Sequence, residues 1–239
     1  MPKHKSITLH HGDAFELLSS LNKDSVDVIL TDPPFSSGGR REAARSVRKS
    51  MVRSVEDNDW IAGDGMSTSG FVWTMREIGR QARRVLKPGG HLLSFIDWRM
   101  ASPLAAALES ADLRQHPTLV WDKTYFGMGA LFRNQYELIV HTTKGNPSPP
   151  LRRDVGNVLP CKPIRGGEHP TEKPVDLLST LLSVTCPPGG LVVDPFMGVG
   201  STGLAALRRG CRFAGSELSA EFFAIAQTRL LEGHLSRTG

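Results

Sequence analysis

Apolar positions follow two alternating rhythms along the chain. Short apolar-rich runs at residues 7–9, 26–30, 91–96, 118–121, 137–141, 191–193 and 212–214 read as strands, several of them buried on both faces. Between them, apolar residues recur three and four apart, which predicts helices over 14–21, 71–86, 103–110, 175–184, 201–209 and 220–231. Lys87-Pro88-Gly89-Gly90 predicts a stop between the second helix and its strand. Strands alternating with helices imply an α/β fold, a mainly parallel sheet with helices on both faces.

Two stretches carry neither rhythm. Residues 36–70 are rich in Arg, Ser, Asp and Gly, and 145–168 in Pro, Gly and Arg, so both read as insertions in a single domain spanning 1–239. The second is expected to be irregular, with a role in target recognition. The net charge of +5 gains meaning from its clustering, because Arg40, Arg41, Arg45, Arg48, Lys49 and Arg53 lie in the first insertion. Arg152, Arg153 and Arg165 lie in the second. Such clusters attract polyanions and make binding salt-dependent, which marks these nine residues as candidate nucleic-acid contacts. Cys161, Cys186 and Cys211 are widely spaced and form no metal-ligand pattern, so no metal is expected and a reducing cytoplasm fits. No apolar run approaches the ~20 residues that span a bilayer, and no membrane partner is expected.

Candidate chemistry sits in two motifs, each at the carboxyl end of a predicted strand, where open α/β sheets bind ligands. The later one, Asp194-Pro195-Phe196-Met197-Gly198-Val199-Gly200-Ser201-Thr202-Gly203, is a glycine turn between a strand and a helix. Its backbone can approach a cofactor closely, and Glu217 follows the next strand at the distance of an acid that accepts hydrogen bonds from ribose. A nicotinamide dinucleotide is the competing cofactor. Asp194 places a carboxylate ahead of the first glycine, which suits an ammonium group better than a pyrophosphate. S-adenosylmethionine carries such an ammonium, so it is the favoured cofactor, and a methyltransferase is favoured over a dehydrogenase.

The earlier motif is Thr31-Asp32-Pro33-Pro34-Phe35. Two prolines fix the backbone and remove two amide donors, leaving acceptors to face a ligand. The Asp32 carboxylate and the Pro33 carbonyl can accept hydrogen bonds from an exocyclic amine while Phe35 stacks on its ring. Drawing that nitrogen towards tetrahedral geometry localises its lone pair for attack on a methyl sulfonium. Alignment and preorganised electrostatics then carry the rate, with no covalent enzyme intermediate.

At these residues the chain resembles the β class of DNA amino-methyltransferases, in which the Asp-Pro-Pro-aromatic motif precedes the cofactor motif. His11-Gly12-Asp13-Ala14, Leu86-Lys87-Pro88-Gly89-Gly90-His91 and His169-Pro170-Thr171-Glu172-Lys173-Pro174 are similar to further elements of that class, with Phe35 standing where Tyr is commoner. The resemblance implies a Rossmann-like methyltransferase fold with permuted motif order and a mainly parallel seven-stranded sheet. Catalytic residues are then Asp32, Pro33, Pro34 and Phe35. Cofactor contacts fall to Asp13, Ala14, Lys173, Asp194, Phe196, Gly198, Gly200, Ser201, Thr202, Glu217 and Leu218. The implied substrate is double-stranded DNA, with the target base flipped out because its amine is otherwise paired inside the helix. Asp32 at the head of its motif, where Ser is common in cytosine enzymes, favours adenine N6, with cytosine N4 as the alternative. RNA or protein methylation and a catalytically silent nucleic-acid-binding protein are less favoured. The resemblance leaves open a homodimer and a cognate restriction endonuclease as partners.

Overall fold

The computed structural model describes residues 6–34, 66–127, 131–164 and 172–235. Strands β1 (Ile7–His11), β9 (Arg212–Glu217), β8 (Leu191–Asp194), β2 (Val26–Thr31) and β3 (Leu86–Ile96) lie side by side in that order, all parallel. β6 (Tyr136–Thr143) runs antiparallel to β3, and β5 (Leu119–Asp122) antiparallel to β6. The sheet therefore presents the ends of β1, β9, β8, β2, β3 and β5 and the start of β6 along one edge.

Alternation within the strands divides the core. Ile29, Leu92, Ile96, Val193 and Ala214 face one side, under helices α1 (Ala14–Ser20), α2 (Thr68–Val85) and α3 (Ala101–Glu109). Val28, Leu30, Leu93, Phe95, Val192 and Phe213 face the other, under α4 (Val175–Thr185), α5 (Ser201–Arg208) and α6 (Ala220–Leu235). In α2, Phe71, Met75, Ile78, Ala82 and Val85 are buried at helical spacing, the pattern that predicts the helix from sequence. Ser67 caps its first turn by accepting from the Gly70 amide at 3.1 Å.

Among the described residues the sheet has nine strands, not the seven expected, because two very short ones complete it. β4 (Arg114–Gln115) pairs with β6, and β7 (Val158–Pro160) pairs in parallel with β5 at the edge. β7 lies inside the segment expected to be irregular. Three residues are too few to show a period, and terminal Pro160 is tolerated because an edge strand needs no donor on its outer side. The expected stop at 87–90 is a register shift within β3, whose Leu86 pairs with Val26 while His91 pairs with Val28. Among the described residues no helix is long and apolar enough to cross a membrane.

Candidate active site

The two motifs, far apart in sequence, sit on neighbouring strands. Parallel pairing of Ile29 with Val193 brings Thr31 and Asp194 to the same edge. The Thr31 hydroxyl donates to Asp194 Oδ1 at 2.7 Å, and the Phe196 amide donates to the same oxygen at 3.1 Å. Burial raises the Asp194 carboxyl to about 6, opposed by hydrogen bonds from Thr202, Thr31 and the Phe196 amide.

Beyond Asp194 the chain turns into α5. Gly200 precedes that helix with φ of 84°, a left-handed conformation that costs glycine least. Gly203 answers a different demand, since a carbon added there would lie 2.5 Å from Leu230 Cδ2 and 2.8 Å from the Phe213 ring. Ser201 and Thr202 are buried in the first turn of α5. The Gly198 amide donates to Glu217 Oε2 at 3.1 Å, and the Ser219 amide donates to Oε1 at 2.8 Å. On the other side of β9, the Gly12 amide donates to the Glu217 carbonyl at 3.1 Å. Asp13 then caps α1, accepting from the Phe15 and Glu16 amides at 2.7 and 2.9 Å. Gly12, Glu217 and Gly198 thus form a hydrogen-bonded arc past the ends of β1, β9 and β8, with Asp13 next to Gly12 in the chain. Ala14 is buried, Phe196 packs against the α1–α3 side of the core, and Leu218 is exposed beside Glu217.

This arc fits a nucleoside cofactor. A carbon added at Gly198 would meet nothing within 4 Å, so the outer side of the loop is open. The Glu217 carboxylate, oriented by two backbone donors, keeps lone pairs for hydroxyl groups.

Asp32, one residue past β2, belongs to a row of charges in which Lys173 is buried and the others are partly buried. Lys173 Nζ lies 2.5 Å from Asp32 Oδ2 and 3.1 Å from Glu137 Oε1, and Lys123 Nζ lies 3.0 Å from Glu137 Oε2. The Lys173 ammonium also sits 5.1 Å from the centre of the Phe95 ring. Burial pushes the Asp32 carboxyl upward, with the Lys173 charge pulling against it. Burial also works against the Lys173 charge, but its two carboxylate partners prevail and hold its pKa above the ordinary lysine range. At Glu137 burial acts upward, and the flanking ammonium groups outweigh it to bring the carboxyl below its usual value. Asp32 Oδ1 has no hydrogen-bond partner among the described residues.

Pro33 and Pro34 follow Asp32 directly, whereas Phe35, Arg40, Arg41, Arg45, Arg48, Lys49, Arg53 and Arg165 lie outside the described residues. Arg152 is paired with Asp154 at 2.6 Å, and Arg153 is exposed. Lys173, expected at the cofactor, is held by Asp32 and Glu137. Sequence reasoning missed Glu137 and Lys123, whose partners are distant in the chain. It also missed a second charged cluster, in which Arg229 donates to Glu172 Oε1 at 2.6 Å and to the Val199 carbonyl at 2.9 Å. The Ser201 hydroxyl donates to the same Glu172 oxygen at 3.0 Å, tying the glycine turn to α6.

The profile of the DNA methylase family (N6_N4_Mtase) matches residues 26–228. YubD, a provisionally named methylase of Escherichia coli (strain K12), is 32% identical over 92% of this chain and 88% of its own. The type II methyltransferase M2.DpnII of Streptococcus pneumoniae is 27% identical over 95% of this chain and 90% of its own. Among solved structures, the complex of M1.HpyAVI with S-adenosylmethionine superposes with a TM-score of 0.68 at 23% identity, covering 94% of this chain and 100% of that one. The chain belongs to the DNA methylase family, whose members methylate amino groups at N6 or N4.

Proposed function

We propose that the protein transfers a methyl group from S-adenosylmethionine to the exocyclic amine of a base flipped out of double-stranded DNA, with adenine N6 favoured. One observation carries this reading. Asp32 holds a buried carboxylate oxygen without a hydrogen-bond partner among the described residues, one strand away from a glycine turn that fits a nucleoside. Bound there, S-adenosylmethionine would supply an electrophilic methyl group. Glu217 would accept hydrogen bonds from its ribose, Asp13 from its adenine, and the Asp194 side of the turn would face its amino-acid end. Asp32 Oδ1 and the Pro33 carbonyl would accept the N–H groups of the target amine, holding the nitrogen in line and leaving its lone pair free. Similarity to the type II methyltransferase M2.DpnII supports methyl transfer, and a cytoplasmic setting, a cognate endonuclease and a homodimer are proposed with it.

Modification-sensitive sequencing of DNA from cells expressing the wild type or Asp32→Ala tests the proposal. The expected result is N6-methyladenine at one short sequence with the wild type only. N4-methylcytosine at such a sequence would establish the second reading, which the breadth of the family supports. Unmodified DNA from cells making folded protein would overturn both.

A further inference from the structure

We propose that Lys173 and Glu137 are positioning residues for Asp32: together they clamp one oxygen of its carboxylate and leave the other as the acceptor presented to the base. The inference rests on the reading of Asp32 as the group that takes the amine.

The geometry is a row that alternates in sign across the carboxyl edge of the sheet. Lys123 ends the β5 side, Glu137 lies on β6, Lys173 precedes α4 and Asp32 follows β2. Two cations and two anions balance. Withdrawing four charges from water, Lys173 almost fully and Asp32, Glu137 and Lys123 in part, is a poor way to stabilise a fold, because apolar residues of similar volume do as well or better. Such a row is instead suited to fixing one group in one orientation. A single ion pair would leave the Lys173 ammonium free to swing with Asp32. Glu137 pulls it from the opposite side, and Lys123 neutralises Glu137 in turn.

Lys173 itself is 8% exposed and spends its charge on carboxylates inside the protein. Its hold on Oδ2 leaves Oδ1 the only oxygen of Asp32 without a partner among the described residues. The charged groups acting on Asp32 are Lys173, Glu137 and Lys123, with Asp194 at the end of the adjoining strand. Replacing each member of the row therefore has its own sign. Without the Lys173 charge, Asp32 stays buried and must titrate at higher pH. Without the Glu137 charge, an anion that pushes Asp32 upward is gone, yet Lys173 loses its second anchor.

The test combines carbon-13 NMR titration of aspartate-labelled protein, with Asp32 assigned by its loss in Asp32→Asn, and methyl transfer to plasmid DNA. In Lys173→Met the Asp32 midpoint should rise by about 1–3 pH units. Transfer should fall by about 100-fold, the cost of a misplaced reacting group, while S-adenosylmethionine affinity stays within a few-fold. Glu137→Gln should lose transfer without raising the midpoint. Lys173→Arg, which keeps the charge and alters the reach, should lose transfer with the midpoint in place. An unmoved midpoint in Lys173→Met would overturn the inference, and a large loss of cofactor affinity would place Lys173 at the cofactor instead. Should Lys173→Met not fold by circular dichroism, wild-type transfer rates in both Glu137→Gln and Lys173→Arg would overturn it. Failure of the underlying reading looks different: wild-type protein would label no DNA, while the NMR midpoints remained readable.

Discussion

Thr31 and Asp194 are 163 residues apart in the chain and share a buried hydrogen bond of 2.7 Å. Thr31→Val keeps the shape and removes the donor from a buried carboxyl group. The expected loss is about 1–3 kcal/mol of stability, measured by urea unfolding at pH 7. The Asp194 pKa, about 6 against an ordinary 3.8, adds a pH signature. A raised carboxyl favours the folded state below its unfolded pKa, and that contribution is lost as pH rises through the folded value. In Thr31→Val the group loses a hydrogen bond that lowers its pKa, so the falling limb should extend to higher pH.

Asp32 and Glu217 should separate catalysis from cofactor binding. Asp32→Ala is expected to abolish transfer while leaving S-adenosylmethionine affinity within a few-fold. Glu217→Ala should weaken that affinity by about 1.5–3 kcal/mol, the value of a hydrogen bond to a charged group. Calorimetry on both variants checks the division, and equal affinities would reject it.

Arg229 braces the glycine turn from α6. Its partner Glu172 has a side chain only 4% exposed, so Arg229→Ala leaves a buried carboxylate with the Ser201 hydroxyl but no cation. Breaking a buried pair in this way costs about 3–5 kcal/mol. Thermal unfolding should show a marked fall in midpoint, and saturating S-adenosylmethionine should recover part of it. Unchanged stability would mean that the brace contributes nothing to holding the fold.

Three histidines predict an acid limit. His91 Nδ1 lies 3.0 Å from His141 Nε2, and the His116 ring stacks on His141 with centroids 4.7 Å apart. Burial lowers the pKa of His91 to about 4 and, with the neighbouring imidazoles, that of His141 to about 3; burial lowers His116 as well. Between these values and the ordinary 6.5 the unfolded chain binds more protons than the folded one, so stability must fall as pH drops through that window. His141→Gln should flatten the slope by up to about 1.4 kcal/mol per pH unit, read from urea unfolding between pH 7 and pH 4.

The elements legible in the sequence were those whose signal is local. Val28, Ile29 and Leu30 announce a buried strand, and Phe71, Met75, Ile78, Ala82 and Val85 announce a helix, because the period lies within one element. β7 was not legible, since its three residues gain their order from pairing with β5. The same division runs through the site. Asp32, Asp194 and Glu217 stand in motifs that can be read without knowing any partner. Glu137 is the second residue of an otherwise ordinary strand and Arg229 sits in an ordinary helix, and each acquires its place only when the fold brings up Lys173 or Glu172.

Pairing of β2 with β8 also sets a timetable for synthesis. The turn bearing Asp32 leaves the ribosome well over a hundred residues ahead of β8 (Leu191–Asp194) and β9, and until these arrive β2 can pair only with β3. A growing chain therefore carries an open strand edge beside Asp32 and no glycine turn next to it. The site is assembled only once β8 and β9 have been made, and the interval before that is when the exposed edge of β2 is most vulnerable to misassociation.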